Sequence, residues 1–349
     1  MGETTKYLAA AISPNVPWNC RTKKDVKAHL EGWVERMERL IMFNSFYLPV
    51  KLFVFPEDSF NPPDYTYWPS RPLKEQAEAI GVTIPGEETD MLTQVCKNHD
   101  IYLVAGSALE VDSKYPDIYF NCAAVIGPEG VLTKYRKVNP LIPIEVCTSP
   151  ADLLPEYGEE LWPVAKTPIG NLGVAICYDW VFPETTRSLT LNGAEVLIRP
   201  AAYMQPWGGT PPMDWWTVVN RCRAIENVAY VVAANVGTTA DVMSMPGVIW
   251  PGQNQIIDWE GRIIAQAAPG AGERVALGPI DIDMLRWARK TLLLHNMPCH
   301  MRMEAYSCYR NTYYPPGLGA ERFAGTLLEV AGRLSETIIE SRNRLWGEE

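Results

Sequence analysis

One order of elements occurs twice in this chain, and that repeat restricts the fold more than any other feature. In the first half, Tyr7–Ile12 and Val50–Phe55 read as buried strands, with Val26, Leu30, Val34, Met37 and Ile41 recurring between them at helical spacing. Glu87–Asp100 predicts another helix and Ile101–Gly106 a third strand. Asn121–Ile126 and Val131–Tyr135 then flank Gly127-Pro-Glu-Gly130, a hairpin signal. In the second half, Leu172–Ile176, Val196–Arg199 and Ala229–Ala234 read as strands, and Pro183–Leu191 and Trp215–Asn227 as helices. Gln255–Asp258 and Arg262–Gln266 flank Trp259-Glu-Gly261, a hairpin with a second acid–glycine turn. Both halves thus read β-α-β-α-β followed by a hairpin. Such a duplication predicts an α/β fold with two similar sheets packed face to face and helices outside. The expected architecture is a four-layer α-β-β-α sandwich with an internal pseudo-twofold. No Gly/Ser-rich or charged linker separates the halves, so residues 1–285 read as one domain. Residues 286–349 then form a C-terminal extension ending in a helix.

Composition excludes several functions. With 349 residues, 47% of them apolar and 21% charged, the chain can bury a large core without covalent staples. A net charge of −10 argues against nucleic acid or an anionic membrane surface as partner. No apolar stretch approaches the ~18 residues of a spanning helix. Met1–Lys6 lacks the basic-then-apolar order of a secretory signal, so a cytoplasmic location is expected. Eight cysteines (20, 96, 122, 147, 177, 222, 299, 308) are scattered without close pairing, the pattern of reduced thiols. The four histidines (29, 99, 295, 300) do not cluster with them at ligand spacing, so no metal site is expected.

Three proline-rich, aromatic loops interrupt the scaffold: Pro56–Pro72 with Tyr65, Tyr67 and Trp68; Pro140–Pro168; and Gln205–Trp216, which reads QPWGGTPPMDWW. Long loops at strand ends are where sites are usually built, although each also fits a rigid surface connection. Beyond a Tyr/Pro-rich segment, Phe323, Leu327, Val330, Leu334, Ile338 and Leu345 form a helical stripe. It suits either a terminal helix docked on its own core or a contact between subunits.

The chemistry-bearing residues lie at strand ends. Cys177 closes an apolar strand in GVAICYDWVFPE, and Pro183 fits the first turn of the following helix. A strand-to-helix elbow lifts a side chain to the sheet edge and aims backbone N–H groups beside it, which suits a nucleophile facing an oxyanion. Taken alone, such a cysteine also suits simple packing. Glu57 follows directly on the Val50–Phe55 strand, Lys137 closes the first hairpin in Lys134-Tyr-Arg-Lys137, and Glu145 comes eight residues later. A thiol to attack, a carboxylate to move protons and an ammonium to hold developing negative charge form a coherent set.

These motifs together resemble the nitrilase (carbon–nitrogen hydrolase) superfamily, and within it the aliphatic amidase and formamidase branch. The resemblance spans roughly residues 6–285. It rests on FPE at Phe55–Glu57, KYRK at Lys134–Lys137, CYDWVFPE at Cys177–Glu184, RAIENVAYVVAAN at Arg223–Asn235 and GQNQIIDWEG at Gly252–Gly261. It implies that Glu57, Lys137 and Cys177 are the catalytic carboxylate, lysine and cysteine, with Glu145 as the additional glutamate of amidases. It further implies an oxyanion site at Lys137 and the Tyr178 backbone N–H, no cofactor, and a homodimer or larger homo-oligomer. The expected reaction is hydrolysis of a neutral primary amide to carboxylic acid and ammonia through a cysteine thioester. Tyr65, Trp68, Trp180, Arg199, Tyr203 and Trp207 are the candidates for lining the substrate pocket. Nitrile-cleaving members carry Trp-Glu after the cysteine, where this chain has Tyr178-Asp179. N-carbamoyl amino acid hydrolases and ω-amidases place arginine shortly after it, where this chain has Trp180 and Val181. A nitrilase, an N-carbamoyl amide hydrolase and a non-catalytic binding member of the fold remain the alternatives. A nucleotide enzyme is weaker, because Gly270-Ala-Gly272 follows a hairpin and opens no helix.

Overall fold

Alternation along the strands sorts the core into layers in the computed structural model, which describes residues 4–14, 18–46, 48–142, 145–204, 214–238, 250–270, 272–314 and 324–347. The first half supplies β1 (Lys6–Ser13), β2 (Val50–Val54), β3 (Tyr102–Val104), β4 (Ala108–Val111), β5 (Tyr119–Gly127) and β6 (Gly130–Arg136). The second supplies β7 (Val164–Thr167), β8 (Gly170–Val174), β9 (Val196–Ala201) and β10 (Tyr230–Asn235). After a short ribbon, β11 (Gly237–Thr238) with β12 (Trp250–Pro251), come β13 (Gln255–Ile257), β14 (Ile263–Gln266) and β15 (Arg274–Asp281).

The expected duplication is present, with β4 as an extra strand in the first sheet. In one sheet β1, β2 and β3 run parallel and β5 and β6 follow antiparallel; in the other β8, β9 and β10 run parallel and β13 and β14 follow antiparallel. The repeat even extends to the far edge. There β7 lies antiparallel to β8, and β15, from the end of the second half, lies antiparallel to β1. That last pairing, from Lys6 opposite Asp281 to Ser13 opposite Arg274, closes the chain on itself.

One face of the first sheet, with Ala9, Ala11, Leu52, Val54, Val104, Ala123 and Val125, joins a buried cluster with the strands of the second sheet. Small residues dominate that face, so the sheets approach closely. The intervening positions, Ala10, Ile12, Phe53, Phe55, Leu103 and Cys122, pack outward instead. Their partners are Val26, Leu30, Trp33 and Met37 of α1 (Lys23–Ser45), together with Leu92 and Val95 of the Glu87–His99 helix. Helices also cover the second sheet, completing the α-β-β-α sandwich that the repeat predicts.

In chain order the remaining helices are α2 (Leu73–Ile80), α3 (Glu87–His99), α4 (Pro183–Leu191), α5 (Asp214–Asn227), α6 (Ile282–Thr291) and α7 (Leu327–Trp346). Two of these escaped the sequence pattern. Helix α2 begins immediately after Pro72 at the end of a proline-rich loop, and α6 buries only Ile282, Leu285 and Ala288. Arg289 of α6 donates to the carbonyls of Ala194 and Val228, so residues past 285 dock on the second half. Helix α7 buries Val330 and Leu334 against Leu73 and Ala77 of α2 and against Tyr119, while Ile338 and Leu345 stay exposed. Val330 and Leu334 thus dock on the chain's own core; Phe323 lies outside the described residues. Leu334→Ala is expected to cost about 2–4 kcal/mol, read from urea unfolding. A loss below about 0.5 kcal/mol would mean that α7 is not part of the cooperative fold.

Candidate active site

Three strand ends and one turn converge between the sheets. Alternation along β6 decides which side chains arrive there. Lys134 and Arg136 point to a buried ion-pair network with Glu110, whereas Tyr135 and Lys137 face the opposite side. Lys137 is 1% exposed. Its ammonium donates to Glu57 Oε1 at 2.7 Å and to Glu145 Oε2. Glu57 arrives from the end of β2, and Glu145 from a turn in which the Leu141 N–H donates to Glu145 Oε2 at 3.0 Å. Asn121 on β5 bridges both carboxylates. Its Nδ2 donates to Glu57 Oε1 at 2.9 Å and to Glu145 Oε1 at 2.6 Å. The second sheet reaches the same group, because the Ala202 N–H beyond β9 donates to Glu57 Oε2 at 2.9 Å. Asn235 fixes that segment by accepting from the Tyr203 N–H at 2.6 Å and donating to the Tyr203 carbonyl at 3.0 Å.

Cys177 sits at the expected elbow. Strand β8 ends at Val174, Cys177–Val181 forms a 3-10 turn, and Pro183 opens α4. Cys177 has φ +48°, the left-handed region that a side chain rarely adopts without support. That support is visible. Arg199 Nη2 donates to the Cys177 carbonyl at 3.3 Å, and the Ile176 N–H donates to Asp179 at 3.1 Å. Asp179 also accepts from Tyr135 Oη at 2.8 Å and the Asn139 N–H at 2.8 Å, the residues that flank Lys137. Arg223 holds the turn's far end through the carbonyls of Trp180 and Val181. The Cys177 thiol shares a cavity wall with Glu57.

The structure therefore brings Glu57, Lys137, Glu145 and Cys177 together, in one cavity of about 230 Å³ that also has Trp18, Asp58, Tyr65, Trp250, Leu327 and Leu328 in its wall. Of the six pocket candidates only Tyr65 is among the described residues of that wall. Trp68 is core, with its Nε1 donating to the Cys20 carbonyl, and Trp180 is core, with its Nε1 donating to the Ala175 carbonyl. Arg199 is wholly buried behind the cysteine, bonded to Asn220 and enclosed by the rings of Trp180, Tyr203 and Trp216. Tyr203 packs against that guanidinium, away from the cavity wall, and Trp207 lies outside the described residues. The half-buried Tyr178 follows Cys177 in the turn, its ring packed edge-on against Phe182.

The sequence profile of the carbon–nitrogen hydrolases matches residues 8–290. The chain belongs to this family. It is 31% identical over 265 residues to a formamidase of Bacillus cereus (strain B4264), covering 74% of this chain and 70% of that one. It is 33% identical over 250 residues to an omega-amidase of Xenopus tropicalis, covering 70% and 81%. Among solved structures, a carbon–nitrogen hydrolase from Helicobacter pylori G27 superposes with a TM-score of 0.69 at 20% identity, over 88% of this chain and 99% of that one. An amidase from Nesterenkonia sp. gives 0.61 at 18%, over 88% and 98%. These two likenesses speak for the fold, which is that of the nitrilase superfamily. The protein is a hydrolase acting on carbon–nitrogen bonds.

The electrostatics of this carbon–nitrogen hydrolase follow from burial and pairing. Burial opposes the charged form of Lys137, yet Glu145 and Glu57 outweigh it and hold the ammonium's pKa well above the ordinary lysine range. Burial likewise opposes ionisation of Glu145, and there Lys137 wins and lowers the carboxyl. Burial, reinforced by Glu57, pushes the Cys177 thiol well above the ordinary cysteine range. Among the described residues no group of three or more His, Cys, Asp and Glu is placed to hold a metal ion.

Sequence reasoning missed Asn121, Asp179 and Asp58. A single asparagine inside the apolar run Tyr119–Ile126 was the available signal for the first, and an aspartate two residues past the elbow for the second. Asp58, half-buried with φ +55°, stands in the cavity wall and accepts from Tyr65 Oη at 3.3 Å. Burial, with Glu57 and Glu145 adding, raises its carboxyl from 3.8 to about 8, against the pull of Lys137 and the Tyr65 hydrogen bond. The unfolded chain releases this proton near pH 4 and the folded chain near pH 8. Between those values the folded state binds the extra proton, so this group's contribution to stability falls as pH rises. Asp58→Asn should therefore raise the urea midpoint more at pH 8 than at pH 5. Equal shifts at both pH values would contradict the assignment.

Proposed function

We propose that this hydrolase cleaves a primary amide with an uncharged reacting end, larger than formamide and bearing no negative charge, to a carboxylic acid and ammonia through a thioester on Cys177. Glu57 takes the thiol proton as the sulfur attacks the amide carbon. That transfer needs a base in contact, because the buried thiol holds its proton above the ordinary range. Lys137 and the backbone N–H of Tyr178 hold the tetrahedral oxyanion. Glu57 returns the proton to the departing nitrogen, ammonia leaves, and the thioester remains. Glu57 then deprotonates a water that attacks the thioester carbon, and the proton goes back to the sulfur as the acid is released. Glu145 and Asn121 keep Glu57 and Lys137 in register. The formamidase and omega-amidase relatives support an amide as the bond cleaved.

The observation that carries the substrate reading is the fate of the two cations nearest the thiol. Lys137 is engaged by two glutamates, and Arg199 is sealed behind Cys177 on Asn220 and a backbone carbonyl. Neither is offered to a substrate carboxylate, and burying an unpaired anion costs several kcal/mol. A cavity of about 230 Å³ also sits below the ~300–1,000 Å³ of drug-sized ligand sites, which favours a small acyl group.

Three measurements test this. Cys177→Ala should abolish turnover while changing stability by only ~1–2 kcal/mol, and a variant keeping a tenth of the parent rate would refute the nucleophile. Glu57→Gln should form no acyl adduct visible by mass spectrometry with excess amide, while Glu145→Gln should acylate slowly; the reverse pattern would exchange their roles. For substrate, kcat/KM is compared across a short aliphatic amide, an arylamide, the matching nitrile and a carbamoyl amino acid. The amides should lead. A tenfold win for the nitrile or the carbamoyl amino acid, about 1.4 kcal/mol of transition-state preference, would overturn the reading.

A further inference from the structure

We propose that Asp58 is a specificity residue, and that the acyl group of the preferred amide carries an ammonium or other basic nitrogen. In the bound substrate this group would lie between the Asp58 carboxylate and the aromatic wall of Trp18, Tyr65 and Trp250. The proposal rests on the amide reading for the reacting end of the substrate and adds the chemistry of its tail.

Three observations lead to it. Asp58 borders the same cavity as Cys177, one residue beyond Glu57, so a group held there sits within a few atoms of the scissile bond. Among the described residues of the cavity wall Lys137 is the one cation, and it already serves Glu57 and Glu145, which leaves three carboxyl groups facing one ammonium. The only side-chain hydrogen bond described for the Asp58 carboxyl comes from Tyr65, a neutral donor at 3.3 Å.

The wall supplies the rest of a cation site. The rings of Trp18 and Tyr65 lie 5.1 Å apart between centroids, and those of Trp18 and Trp250 lie 5.2 Å apart. The faces of tryptophan and tyrosine attract cations, and more strongly where water is excluded. A carboxylate beside clustered aromatic rings thus recognises an alkylammonium twice, by charge at the nitrogen and by contact along its methylenes. Asp58 holding its proton up to about 8 in the presence of Glu57, Glu145, Lys137 and Tyr65 agrees with a carboxyl whose counter-cation arrives with the substrate.

The test compares 3-aminopropanamide and 4-aminobutanamide with their uncharged isosteres, butanamide and pentanamide, at pH 7.5. The native enzyme should favour the better amino amide over its isostere at least tenfold in kcat/KM. In Asp58→Asn that ratio should fall at least tenfold. A native preference for the isosteres, or a ratio unchanged in the variant, overturns the proposal and leaves the amide reading intact. Release of ammonia from none of the four amides would count against the amide reading instead. The proposal is then decided without turnover or mutation, by protection of Cys177 from methyl methanethiosulfonate in the native protein. Butylammonium should protect at concentrations at least tenfold below those needed for 1-butanol, and equal protection refutes it.

Discussion

The Lys137 ammonium, buried between Glu57 and Glu145, is the interaction on which the site depends. A lone ammonium at 1% exposure would be several kcal/mol too costly to keep charged, so two carboxylates must come to it. Each comes from a different part of the chain. Glu57 ends β2, Glu145 follows the loop after β6, and Asn121 on β5 spans both. Glu57 has a second oxygen, and that oxygen accepts from Ala202 on the other sheet. The pair thus aligns strand ends within one sheet and also fastens one sheet to the other. Tyr135 on Asp179 makes a second fastening one turn of the pleat away, and it ties Lys137's own strand to the cysteine turn.

Those fastenings explain how a strained cysteine persists. A left-handed cysteine costs free energy locally, and the surrounding contacts over-determine it: Arg199 on its carbonyl, Asp179 on the preceding amide, Arg223 on the carbonyls that follow. The arrangement places the thiol against Glu57 while burial keeps it protonated. On the proposed mechanism the thiol becomes a nucleophile as its proton leaves for the adjacent carboxylate. Rigidity at the elbow and a thiol that shares its cavity with Glu57 are therefore two consequences of one packing arrangement.

Much of this was legible in the sequence because local periodicity and punctuation carry it. The strand and helix order, both acid–glycine hairpins and Pro183 at the head of α4 follow from spacing alone. The convergence of Glu57, Lys137 and Cys177 was legible only through their shared position at strand ends and through family resemblance. What escaped depends on distance along the chain or on face. The pairing of β15 with β1 joins residues more than two hundred positions apart, and no local pattern announces it. The aromatic loops misled for a different reason. Trp68 and Trp180 bring large apolar area that favours burial wherever a carbonyl can take the indole N–H, and Cys20 and Ala175 supply those carbonyls. Composition registers the ring and is silent on whether it turns into the core or into the cavity. Arg199 is a pocket candidate by sequence, whereas its position in a buried strand turns it inward, onto the Cys177 carbonyl.

The same inward turn bears on selectivity. Arginine is the residue best suited to take a carboxylate in two parallel hydrogen bonds, but only when its fork is free. Here one arm of the fork is on Asn220, the other reaches a backbone carbonyl, and three aromatic rings enclose the plane. Releasing it toward the cavity would unseat the cysteine turn that it supports. The charge that could welcome an anionic acyl group is thus committed to holding the cysteine turn. Facing the cavity are Asp58, Glu57 and Glu145 with one ammonium, Lys137. On the proposed function, structural support for Cys177 and rejection of anions are linked: a substitution that freed an arginine for a carboxylate at this position would weaken the elbow on which the thiol depends.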